Sequence, residues 1–129
     1  MNGLNFAAVG LGAALGAWSR WLLGMALNPL LLGIPLGTLA ANLIGGFLVG
    51  VAVGLFHLHT GMAPALKLLV ITGFLGGLTT FSSFSAETME RLLAGQPGWA
   101  LAMMVVHLGG SLLMTWLGLM CVGAHRIWG

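Results

Sequence analysis

Of the 129 residues, 59% are hydrophobic and only 5% are Asp, Glu, Lys or Arg, against about 25% charged in an average soluble domain. Such a chain cannot cover a globular surface in water, so lipid must meet most of its exterior. Its net charge of +2 comes from four scattered cations, Arg20, Lys67, Arg91 and Arg126, set against Glu87 and Glu90. No cluster of Lys and Arg exists to neutralise phosphates, which argues against nucleic acid as a partner. The length suits one domain, residues 1–129.

A helix needs roughly 20 mostly apolar residues to cross the hydrocarbon core. Taken in chain order, four runs qualify, at about 4–27, 36–56, 65–93 and 99–124. The N-terminal residues Met1–Asn5 bring no cation, and the first run is expected to be retained rather than cleaved as a signal peptide. It carries Ala8, Gly12 and Gly16 at four-residue spacing and ends at Asn28-Pro29. The second run follows Pro35 and carries Gly46, Gly50 and Gly54, with Asn42 one turn ahead of that stripe. Small residues at this spacing let membrane helices approach closely. An Asn inside hydrocarbon must either bridge helices or line a wet path.

The third run begins after Pro64 and holds the most informative segment, Gly73-Phe74-Leu75-Gly76-Gly77-Leu78-Thr79-Thr80-Phe81-Ser82-Ser83-Phe84-Ser85. Three glycines in five positions give way to hydroxyl-bearing residues in a span longer than one crossing needs. The expectation is a helical break near the bilayer midplane, where freed backbone groups must face protein or a polar cavity. Carbonyls at such a break can hold a hard cation such as Na⁺, while amides and hydroxyls can donate to an anion. Phe81 and Phe84, three apart, fall on one helical face, and an aromatic ring is positive at its edge. The fourth run carries His107, Ser111 and Thr115 at i, i+4 and i+8, a polar stripe on an apolar helix. Hydroxyls also bond back to their own helix, so both readings of the stripe stay open. The lone Cys121 is expected to be a small apolar packing residue.

Four spans place both termini on one side. Lys67 and Arg126 then lie on the terminal side, and Arg20 and Arg91 on the other. Cations near the membrane ends normally set orientation, and here they tie. The expectation is insertion in both directions and a dimer of oppositely oriented copies.

The run Gly73 to Glu87, GFLGGLTTFSSFSAE, resembles the signature of the CrcB/Fluc fluoride channels. Matching pieces are Arg20-Trp21, Pro35-Leu36-Gly37-Thr38 leading to Asn42, Gly110-Ser111 and Met114-Thr115, so the resemblance covers essentially the whole chain. It implies an all-α membrane protein with a broken third helix, working as a dual-topology antiparallel homodimer in the inner membrane. It implies passive, fluoride-selective export that relieves the cytoplasm of fluoride trapped there after entry as neutral hydrogen fluoride. By the same resemblance, Gly76 and Thr79 would give backbone carbonyls to a structural Na⁺ at the dimer centre. Phe81 and Phe84 would line the fluoride pores with ring edges, Asn42 would donate an amide, and Ser83, Ser111 and Thr115 would supply hydroxyls. Arg20 would attract anions to a vestibule, and Glu87 would sit near the pore exit. The departure is His107, where some family members carry a hydroxyl residue. No residues assemble for catalysis. A small proton-coupled multidrug exporter is the alternative, but that chemistry requires a deep carboxylate that the first helix does not supply.

Overall fold

The computed structural model describes residues 2–124 and Arg126. Four spans long and apolar enough to cross a membrane follow one another. Helix α1 is Gly3–Leu27 and α2 is Leu36–Leu58. The third span, Pro64–Leu93, divides into α3 (64–78) and α4 (Phe81–Leu93), and the fourth is α5 (Pro97–Cys121). Large apolar side chains such as Phe6, Trp18, Trp21, Leu112 and Trp116 point outward, the arrangement expected where lipid is the solvent.

Local chemistry places the ends. Asn2 Oδ1 accepts the Leu4 N–H at 2.8 Å and opens α1. Asn28 closes α1 and also caps its neighbour, because its Oδ1 accepts the N–H groups of Gly37 at 2.7 Å and Thr38 at 3.2 Å. The helix α2 therefore starts without a cap from its own preceding residue, Pro35. At the far end of α4, Gly95 takes φ +73°, with Gln96 donating to Arg91 and Gly95 to Leu92. At the end of α5, Gly123 takes φ +74°, with Ala124 donating to Leu119 and Gly123 to Met120. Both are Schellman closures, which need a residue in the left-handed region. The second of them ends α5 at Cys121, ahead of the residue 124 expected from the sequence.

The closest packing is between alternate helices rather than sequence neighbours: α1 lies on α3, and α2 on the C-terminal half of α5. Glycine faces explain the choice. A Cβ on Gly12 would strike the Leu69 carbonyl, and one on Gly16 the Phe74 carbonyl. Gly73 and Gly77 reciprocate against Val9, Gly12 and Ala13. Across the other pair, Gly46 faces Ser111, Gly50 faces the Thr115 carbonyl, and Gly118 faces the Phe47 carbonyl. Val122, not Cys121, packs against Gly54; Cys121 is exposed, which corrects the packing role expected for it.

Two wide π-helical stretches, Leu68–Leu75 and Val105–Gly109, were not legible in the apolar pattern. Both run into glycines, which can widen a turn with no side chain to displace. Between α3 and α4 the chain is extended, with Thr79 at φ −84°, ψ 153° and Thr80 at φ −149°, ψ 119°. This is the expected break. It turns α4 away from α1 and onto the first half of α5, where Phe84 packs with Ile34 and Met103.

Adding a methyl at Gly50 forces backbone apart, whereas Gly10 has open space around it. Gly50→Ala is expected to lower stability by about 1–3 kcal/mol through overpacking, and Gly10→Ala to leave it unchanged. Thermal unfolding of both variants in the same detergent checks the pair.

Candidate functional site

The break reassigns the backbone hydrogen bonds of the third span. In a continuous α-helix the Gly76 and Thr79 carbonyls would accept from the N–H groups of Thr80 and Ser83. Here Thr80 N–H goes to Asn42 Oδ1 at 2.8 Å, and Ser83 N–H to Thr80 Oγ1 at 3.0 Å. The Gly77 carbonyl receives Arg20 Nε at 3.1 Å, and the Thr80 carbonyl receives Asn42 Nδ2 at 3.0 Å. Asn42 thus holds both backbone groups of Thr80, and Thr80 caps α4 with its own side chain. The Gly76 and Thr79 carbonyls are left without their helical amides. Gly76 is exposed and Thr79 half-buried.

A cavity of about 440 Å³ opens beside the break, bordered by Asn42, Gly45, Gly46, Gly76, Thr79, Thr80, Phe81, Phe84, His107 and Ser111 among others. No Lys, Arg, Asp or Glu lines it. The Phe81 and Phe84 rings meet edge to face, with centroids 5.5 Å apart and planes at 71°. Phe84 is 6% exposed and Phe81 72% exposed, so one ring is fixed in the core and the other stands at the open side. His107, buried, lies 4.6 Å from Phe84 between centroids, tilted by 30°, and its Nδ1 is 3.0 Å from Asn42 Nδ2.

The polar stripe of the fourth span divides in this setting. His107 and Ser111 border the cavity, while Thr115 Oγ1 turns back to the Gly46 and Ser111 carbonyls, at 2.9 Å from each. Ser83 and Arg20 lie elsewhere, around a second cavity of about 350 Å³ with Trp21, Asn28, Thr38 and Glu87. There Thr38 Oγ1 donates to Glu87 Oε1 at 2.7 Å, and Glu87 Oε2 is buried with no partner among the described residues. The break lies between the two cavities: Thr80 borders the first, Ser83 the second.

Two contributors escaped the sequence reading. Thr80 is the anchor of the break, and a hydroxyl residue immediately before a helical run is a legible capping signal. Thr38 as partner of Glu87 had no such signal, since 49 positions separate them.

By class this is a four-span membrane protein with an uncharged chamber built around an interrupted helix. The sequence model of the family described as CrcB-like protein, Camphor Resistance (CrcB), matches residues 7–119. The chain belongs to the CrcB family. It is 67% identical over 128 residues to the Fluoride-specific ion channel FluC of Dechloromonas aromatica (strain RCB), covering 99% of this chain and 95% of that one. Identity to the protein of the same name from Ralstonia pickettii (strain 12J) is 58% over 118 residues, covering 92% and 94%. For that of Nitrosospira multiformis (strain ATCC 25196 / NCIMB 11849 / C 71) it is 59% over 115 residues, covering 89% and 90%.

Asn42→Leu strands the Thr80 N–H and carbonyl together. At about 1–3 kcal/mol for each buried orphan group, it is expected to destabilise the protein by roughly 2–6 kcal/mol. Hydrogen exchange should show the Thr80–Ser83 amides losing protection ahead of those in α2.

Proposed function

We propose that this chain is a passive fluoride channel that lets fluoride leave the cytoplasm, acting as an antiparallel, dual-topology homodimer in the inner membrane. The reading rests on the chamber at the break, where an edge-to-face pair of phenylalanines adjoins amide and hydroxyl groups with no charged side chain in the lining. The name carried by relatives 58–67% identical points the same way.

Fluoride is small and strongly hydrated and only accepts hydrogen bonds. A pathway for it must replace water with donors, yet hold the ion weakly enough to release it. Ring edges carry partial positive charge and cannot trap an anion as an ammonium would. Phe81 and Phe84 supply those edges, and Asn42 and Ser111 supply polar hydrogens. Thr115 would extend the route on one side once its bonds to the Gly46 and Ser111 carbonyls yield, and Ser83, at the second cavity, on the other. Arg20 is committed by Nε to the Gly77 carbonyl and borders the second cavity, where its charge would raise the local anion concentration. No carboxylate lines the chamber, which argues against a proton-coupled cation exporter.

The exposure of Phe81 and Gly76 supports the dimer, because polar backbone beside an open chamber is tolerated in lipid only when further protein covers it. The Gly76 and Thr79 carbonyls, released from helical bonding, fit the oxygen-donor chemistry of a hard cation. They are the residues that would hold a structural Na⁺, which when bound would supply fixed positive charge near the chamber.

Purified protein in liposomes should dissipate a fluoride gradient without any proton gradient and barely pass chloride. Efflux that requires protons, or none, overturns the reading. Phe81→Ile keeps bulk but removes the ring edge; it is expected to cut fluoride flux roughly tenfold or more, about 1.4 kcal/mol in barrier, with the dimer intact.

A further inference from the structure

The orientation of the Asn42 amide is fixed by groups that have no choice of role. Its oxygen faces the Thr80 N–H, which can only donate, and its nitrogen faces the Thr80 carbonyl, which can only accept. The second Nδ2 hydrogen is therefore the one that meets His107 Nδ1 at 3.0 Å. Nδ1 must be the acceptor, so the neutral imidazole carries its proton on Nε2. A backbone peptide at the break thus dictates the tautomer of a histidine on another helix.

That tautomer has a cost. Nε2 is buried and finds no partner among the described residues, and a stranded buried donor is unfavourable. A ring kept only to pack on Phe84 would be better replaced by Leu or Phe. What a hydrocarbon side chain could not do is accept the Asn42 hydrogen. Of the two amide hydrogens, one is tied to the Thr80 carbonyl and holds the break; only the one on His107 can be released to a passing anion.

We propose that His107 is a positioning residue for conduction: its Nδ1 competes with the permeating anion for the free Asn42 amide hydrogen and so keeps the anion from binding too tightly in the chamber. The wide turn Val105–Gly109 carries His107 to this position. Selective passage needs binding that is favourable enough to admit the ion and weak enough to release it, and an internal acceptor supplies the second half of that requirement. This inference rests on the channel reading.

The test is fluoride efflux from liposomes over a range of fluoride concentrations, for wild type, His107→Leu and His107→Asn. Leu removes the acceptor; it exchanges one orphan donor, Nε2–H, for another on Asn42, so thermal stability should change little. Half-saturating fluoride and saturating flux are both expected to fall, each by roughly tenfold, equivalent to about 1.4 kcal/mol. Asn places a side-chain oxygen near the position of Nδ1 and should restore both values most of the way. Nitrogen NMR of histidine-labelled full-length protein, with His107→Asn to assign the signal, should show Nδ1 unprotonated. An unaltered His107→Leu variant, an Asn variant no better than Leu, or a protonated Nδ1 in the neutral ring overturns the proposal. Wild-type vesicles that pass no fluoride sink the channel reading along with it, whereas normal wild-type flux with an unaltered Leu variant sinks this inference alone.

Discussion

Hydrocarbon offers no hydrogen bonds, so a peptide released from its helix inside a membrane must be answered by some other part of the protein. In this chain that obligation falls on a few residues around Thr79 and Thr80, and the polar architecture follows from meeting it. Asn42 answers both groups of Thr80, Arg20 answers the Gly77 carbonyl, and the Thr80 hydroxyl answers Ser83. Each answer reaches in from a different direction: α2, α1 and the break itself. Removing any one would leave a polar group where water cannot compensate for it, which is why side chains costly to bury persist in so apolar a chain.

Close helix contact makes those answers geometrically available. With glycine at Gly12, Gly16, Gly73 and Gly77, α1 and α3 approach until backbone meets backbone, which brings the Arg20 side chain within reach of Gly77. With Gly46, Gly50 and Gly118 the second pair does the same, and Thr115 can bridge to Gly46. The chamber lies beside the break, between α3 of the first pair and the α2–α5 pair. Its polarity is modest and uncharged, and under the proposed function that serves transit rather than capture. The same residues carry two duties. Asn42 is at once the brace of the backbone and, under the proposed function, the donor to the anion, and its second hydrogen is already lent to His107.

Much of this is legible in the amino-acid sequence. The membrane class follows from the scarcity of charge across the whole chain, and the four spans from run length; the glycine stripes fall on the faces that pack. The break was legible because three glycines in five positions, Gly73, Gly76 and Gly77, give way to hydroxyl-bearing residues in a span longer than one crossing needs. Less legible were the wide turns in α3 and α5, since apolar periodicity does not distinguish them from an ordinary α-helix over so few residues. The i, i+4, i+8 stripe of His107, Ser111 and Thr115 assumed a regular helix and a common environment. The actual helix widens at Val105–Gly109, and Thr115 bonds back to backbone.

The linear order of residues by itself determined what is local or additive: an exterior suited to lipid, the span count, the small-residue faces, the site of interruption. Those depend on composition and short-range pattern, which folding does not alter. Only the tertiary structure decided who pairs with whom. Asn42 with Thr80 and His107, Arg20 with Gly77, and Thr38 with Glu87 join positions 38, 65, 57 and 49 residues apart. Such partnerships follow from how closely and at what angle the helices cross, and crossing geometry is a property of two surfaces together that neither segment encodes alone.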